Sequence, residues 1–233
     1  MKILEAKDIW DQITDKYADD GFEDFEFSRH MNSGMVAVTS DRSYNRLLKS
    51  QGAASEPAYA FEQSDLSDEL LHPLIERGTY TSVAGLITRT QIRSGYPDDT
   101  IRYGTDDTIA ETKKPDVYKV MSFETSDGNP VYWARHNDAA PLKRNHLTKP
   151  RASHPHVTVT DEGYRLDPDG AYMIVSRRMP LHCWLSDDTP GNNIDPELPD
   201  ELMYDAIFRA LQFGGIQVRE FDFFQAVAQT ENR

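Results

Sequence analysis

The chain is 233 residues long, with 25 Lys and Arg against 39 Asp and Glu, a formal charge of −14 and an apolar fraction of 38%. A globule of this length buries roughly 70% of its unfolded surface, enough for one core or two modest ones, and 10% aromatic residues are too many for a disordered chain. The acidic excess argues against a protein that coats nucleic acid, and the single cysteine, Cys183, excludes an internal disulfide framework and a cysteine-built zinc site. The longest apolar run, Ala171 to Val175, is too short for a membrane span, and the first residues do not have the pattern of a secretion signal.

The chain opens as helix. Ile9, Trp10, Ile13 and Tyr17 share one face, with Asp8, Asp11, Asp15 and Lys16 opposite. Gly21 breaks the pattern, and Phe22, Phe25, Phe27, Met31, Met35, Val36 and Val38 predict a second helix over most of 23–39, weakened by Gly34. Ser40 or Asp41 is positioned to cap a third, short helix through Leu47 and Leu48, ended by Gly52. Three such helices form an open bundle that needs a lid from elsewhere in the chain.

From about residue 57 to 186 the period changes to that of short strands: Tyr80–Val83, Leu86–Ile92, Thr100–Tyr103, Val117–Phe123, Val131–Arg135, His156–Thr160 and Ala171–Arg177. Ser126-Asp127-Gly128-Asn129 predicts a two-residue hairpin turn with positive φ at both central positions. Asp161-Glu162-Gly163 and Asp167-Pro168-Asp169-Gly170 add further turns, so a small sandwich or barrel is expected. Residues 104–116 and 136–155 are polar and contain proline, and are expected to be long loops.

Helix returns at Leu198-Pro199-Asp200-Glu201, with Pro expected at the first helical position and two acids at the positive end of the dipole. Leu202, Met203, Ala206, Ile207, Ala210 and Leu211 make a continuous apolar stripe stopped by Gly214-Gly215. Val218, Phe221, Phe224 and Val227 continue at helical spacing. The fold expected is α+β: a discontinuous helical bundle from residues 1–55 and 194–233, with an antiparallel β-sandwich or barrel-like domain, 56–193, inserted between them.

Compact catalytic signatures are missing: there is no GxxxxGK[ST], GxGxxG after a strand, HExxH or GxSxG. His154-Pro155-His156 could set two imidazoles on one side of a strand, yet no third ligand is placed by spacing. His182-Cys183 has the residue types of a base and a nucleophile, but neighbours on a strand face opposite ways, so a buried cysteine is the expectation. Asp187-Asp188, Asp195 and Glu197 lack the spacing of a calcium loop and read as an acidic linker. Charge is segregated along the chain. Six acids and no Lys or Arg lie between Gln51 and Glu76, and seven acids and again none between Met179 and Phe208, whereas Arg135, Lys143, Arg144, Lys149 and Arg151 cluster with only Asp138 among them. Such segregation fits ordinary solvated surface; it also suits a subunit whose acidic and basic faces meet neighbours, or whose acidic face repels DNA from a channel wall.

Taken in order, the N-terminal helices and β-rich middle precede Leu166-Asp167-Pro168-Asp169-Gly170-Ala171-Tyr172, which leads into a strand with Arg177, Arg178 and Pro180. An Asp187-Asp188-Thr189 loop and the helix Leu198-Pro199-Asp200-Glu201-Leu202-Met203-Tyr204-Asp205-Ala206 follow. This series resembles the head-to-tail connector, or adaptor (tubular tail), proteins of short-tailed bacteriophages. The resemblance covers the last seventy residues best, the N-terminal helices loosely, and the middle by order of elements. Met173-Ile174-Val175-Ser176-Arg177 stands where the family usually has a run of aromatics.

The resemblance implies a non-enzymatic virion protein of the neck and tail, assembled in the host cytoplasm and needing no cofactor and no metal. It implies a homo-oligomeric ring, usually twelvefold, that docks on the portal protein and continues the DNA channel toward a tail nozzle, tail tube or fibre protein. DNA would pass without sequence-specific binding, and no membrane is involved. Leu202, Ala206, Ile207 and Leu211 are expected to seal the bundle. Phe221, Phe224 and Val227 are the expected portal-docking residues, and Lys143, Arg144, Lys149 and Arg151 a basic patch between subunits. Two other readings compete: a metal-dependent hydrolase or nuclease using dispersed carboxylates such as Asp187 and Asp188 with a His of the 154–156 pair, and a monomeric acidic interaction module.

Overall fold

The computed structural model describes residues 1–17, 22–52, 70–102, 109–145, 149–186 and 192–216, and the protein is of the α+β class. Helices α1 (Ile3–Tyr17) and α2 (Asp24–Gly52) come first. Strands β1 (Ile75–Thr81) and β2 (Leu86–Thr88), helix α3 (Arg89–Ser94), and strands β3 (Asp99–Arg102), β4 (Ile109–Lys113), β5 (Val117–Thr125) and β6 (Tyr132–Trp133) follow. Helix α4 (His136–Arg144), strands β7 (His156–Val159), β8 (Gly163–Asp167) and β9 (Ala171–Arg178), and helix α5 (Asp200–Phe213) complete the order. No helix among the described residues is long and apolar enough to cross a membrane.

The chain forms two compact units. Unit 1 comprises Met1–Pro73, Asp99–Lys113 and Pro180–Arg233; unit 2 comprises Leu74–Asp98 and Lys114–Met179. The partition differs from a single insertion at 56–193, because the β3–β4 hairpin and the stretch beginning at Pro180 cluster with the helices.

In unit 1, α1 buries Ile3, Ala6, Ile9, Trp10 and Ile13, α2 buries Phe27, Met31, Met35 and Val38, and α5 buries Leu202, Met203, Ala206, Ile207, Ala210 and Leu211. Trp10 stands edge-on to Phe22 and Phe27, with ring centroids 5.5 and 5.4 Å away. At Gly34 the helices α2 and α5 approach closely: a Cβ there would collide with the Ala206 carbonyl oxygen and crowd Ala210. The glycine expected to weaken the second helix therefore marks a helix crossing. The expected break near Ser40 is also absent, and α2 runs on to Gly52. The hydroxyls of Thr39 and Ser40 donate back one turn, each at 2.8 Å, to the carbonyls of Met35 and Val36, so they join the existing helix instead of capping a new one. Pro199 is the N-cap of α5, one position earlier than expected; its carbonyl accepts from the N–H groups of Leu202 and Met203 at 2.9 Å.

Unit 2 holds a three-stranded sheet, β1-β9-β5, and a four-stranded one, β2-β8-β7-β6. All pairs are antiparallel except β6–β7, which is parallel and departs from the expected pattern. Ile87, Tyr164, Leu166 and Val157 from one sheet and Val120, Phe123, Tyr172 and Ile174 from the other enter one core cluster, with Ile92, Tyr96 and Val131. The long strand expected at Leu86–Ile92 stops at Thr88 because Thr88 caps α3: its Oγ1 accepts the Gln91 N–H, and Gln91 Oε1 accepts the Thr88 N–H at 2.7 Å. The expected loops contain elements too, β4 in one and α4 in the other. Strand β8 occupies the few residues between two turns. At the β5 turn only Gly128 has positive φ (77°), and Thr125 N–H bonds to the Asn129 carbonyl, so the loop has three residues and not two.

Candidate functional site

Leu202, Ala206, Ile207 and Leu211 each have 0% exposure, and they fill the α5 face that α2 meets at Gly34. The small side chains of Ala206 and Ala210 let the backbones approach, while Leu202, Ile207 and Leu211 supply the apolar area. Met1, through its terminal ammonium, pairs with Asp200 at the start of α5, and the Ile3 N–H donates to Asp195 Oδ1 at 3.0 Å. The start of α1 is thereby joined to the stretch that leads into α5, and Asp195 caps an N–H of the first turn of α1. Glu197 likewise accepts the Leu181 N–H at 3.0 Å. These two acids of the expected linker have structural duties.

A groove of about 740 Å³ lies within unit 1. One wall is the face of α2 bearing Phe25, Arg29, Ser33 and Val36, spaced four, four and three residues apart. The others come from Ile101 and Arg102 of β3, Lys113 of β4, His182, Trp184, and Phe213 at the end of α5. Its ionic side chains among the described residues are all basic, in a chain of charge −14.

The wall at His182 is rigidly built. Asp99, with only 2% of its side chain exposed, accepts the His182 N–H at 3.0 Å and meets His182 Nδ1 at 2.7 Å. Burial alone would raise the Asp99 carboxyl; the hydrogen bonds from the His182 ring and main chain, with the charges of His182 and Lys113, outweigh it and hold the carboxyl below its usual value. On the other side of the same stretch, Asn32 of α2 brackets Cys183: its Oδ1 accepts the Cys183 N–H at 2.8 Å and its Nδ2 donates to the Cys183 carbonyl at 3.0 Å. Ser28 Oγ accepts the Leu185 N–H at 2.9 Å. Cys183 is buried, and burial above all pushes its thiol up to about 12.

Unit 2 carries the other sequence candidates. Lys143 and Arg144 lie in the last turn of α4, and Lys143 pairs with Asp167 of β8. Lys149 and Arg151 are exposed, and Arg151 exchanges backbone hydrogen bonds with His154. Part of the basic patch is thus neutralised within the unit. His154 stacks on Tyr132 (centroids 5.9 Å) and His156 meets the same ring at 6.2 Å, so both imidazoles pack against one aromatic ring. Among the described residues no group of three His, Cys, Asp or Glu side chains is placed to hold a metal ion. Phe221, Phe224, Val227, Asp187 and Asp188 lie outside the described residues.

Neither a protein-family model nor a curated protein matches the chain. The groove and the Asp99–His182 pair escaped the sequence reading because their parts come from three separate stretches of chain. Only the Phe25, Arg29, Ser33, Val36 spacing on α2 was a local trace of them.

Proposed function

We propose that the protein is a structural ring subunit, a head-to-tail adaptor that docks on a portal and carries a DNA channel onward into a tail. The observation that carries this reading is the return of the chain: α5 packs on α2 across Gly34, so N- and C-terminal helices share one unit, while the chain between them supplies a two-sheet body. This is the arrangement that the sequence resemblance implies. The function asks for shape and surface, not for a reactive group. An acidic subunit wall repels DNA phosphates and lets the polymer slide. In this reading Phe221, Phe224 and Val227 belong to a portal-docking segment, and the exposed cations Arg144, Lys149 and Arg151, with Lys143, face a neighbouring subunit.

The test is reconstitution of the full chain with the portal protein encoded alongside it. Electron microscopy should show a second ring stacked on the portal, and removal of residues 217–233 should abolish co-purification. A full-length protein that stays free of portal rings overturns the reading; a truncated one that still joins them overturns the docking assignment.

A further inference from the structure

We propose that the groove of unit 1 is a socket for the exposed face of α1 from a second copy of this chain, an inference that rests on the ring reading above and names the contact that would build the ring. The described large apolar side chains left exposed in unit 1 are Leu4 (52%), Val36 (39%) and Phe213 (53%). Two of them, Val36 and Phe213, lie on the groove. The third is on α1, where Leu4, Asp8, Asp11 and Asp15 recur at i, i+4, i+7 and i+11 and so line one stripe. That stripe is a single apolar knob followed by acids. Asp8 and Asp15 are exposed, and Asp11 is held by Lys7 at 2.7 Å.

The groove is the complement. It sets Val36 and Phe213 beside Arg29, Arg102, Lys113 and His182, with no acid among its described lining. Leu4 of a neighbour would enter between Val36 and Phe213, leaving its acidic stripe to run along the basic wall. Opposite potentials of this kind steer and register two surfaces, and they weaken as salt screens them. No residue of α1 lines the groove, so knob and socket are different surfaces of one chain. A contact between unlike surfaces repeats from copy to copy, and where the rotation closes it gives a ring.

The test uses the full chain and two variants. R29E/K113E reverses two exposed groove cations, and L4A/D8K removes the knob and reverses one acid, leaving Glu5, which accepts the Lys2 N–H, in place. Sedimentation at low salt should show self-association of the native chain, weakened at least tenfold by either variant, with unchanged circular dichroism. Mixing the two variants should give 1:1 dimers and nothing larger, since one good knob and one good socket remain. Native chains that stay monomeric overturn the proposal, as do oligomers indifferent to both variants. An L4C chain mixed with a V36C chain should form one intermolecular disulfide, because buried Cys183 does not compete; failure to cross-link overturns the register. Rings that assemble on a portal despite both variants sink this contact and leave the adaptor reading standing. Copies that associate as described but never join a portal do the reverse.

Discussion

In unit 1 the helices α2 and α5 meet over small residues, whereas in unit 2 the sheets meet over aromatic rings. At the α2–α5 crossing, Gly34 leaves no room for one more carbon against Ala206. In unit 2, Phe123 sits 5.4 Å from Trp133 and 5.3 Å from Tyr164, and Tyr96 reaches Ser176 through its hydroxyl at 2.7 Å. The contrast teaches where each is fragile. A close backbone crossing fails when something is added; an aromatic core fails when something is taken away.

Four substitutions break or sharpen that contrast. Phe123→Ala should destabilise unit 2 by about 4 kcal/mol, through lost burial and the cavity left among Trp133 and Tyr164, read as a shifted denaturant midpoint in strand-sensitive circular dichroism. Gly34→Leu should destabilise unit 1 by about 3 kcal/mol, followed by the fluorescence of Trp10 and Trp184, both in that unit; a variant as stable as the native chain would remove the case for a tight crossing. Asp99→Ala should lower unit 1 stability by about 2 kcal/mol, since it strips two hydrogen bonds from a buried site. The sign of its pH dependence follows from the lowered carboxyl. The stabilisation is complete above the unfolded value near 3.9 and is lost as pH falls through the lower folded value. Acid titration of Trp fluorescence should therefore show less loss in the variant than in the native chain below about pH 4. Tyr96→Phe should have the smallest effect, about 1 kcal/mol, by leaving Ser176 Oγ without the Tyr96 hydroxyl. Burial pushes the Tyr96 hydroxyl up to about 12, so as pH rises from about 10 toward 12 the native chain should lose stability more steeply than the variant, which keeps the raised Tyr80 and Tyr172.

Much of the fold was legible locally. The α5 stripe from Leu202 to Leu211 buries as its spacing requires, and Gly214-Gly215 stops the helix with Gly215 at φ 79°. Strands β5, β7 and β9 lie close to their β-branched runs. The misreadings share a cause. Gly34 and Ser40 look like helix breakers in isolation, but a packed neighbour and a back-bonded hydroxyl override local preference. Thr88 looks like strand until Gln91 completes its cap. Strand β4 and helix α4 were hidden by charged and proline-containing sequence, since Pro141 stands inside α4 and β4 finds its partner in β3.

The sequence by itself determined which faces are greasy, that Gly52 and Gly214-Gly215 end helices, and that α- and β-periodic stretches alternate, because those depend on spacing within a few residues. Tertiary structure decided which stretches share a unit, that Asp99 finds His182, Asn32 finds Cys183 and Gly34 finds Ala206, and that a basic groove exists at all. Those facts join positions up to 172 residues apart, and contacts across such separations are set by packing and hydrogen-bond satisfaction, which no local pattern encodes.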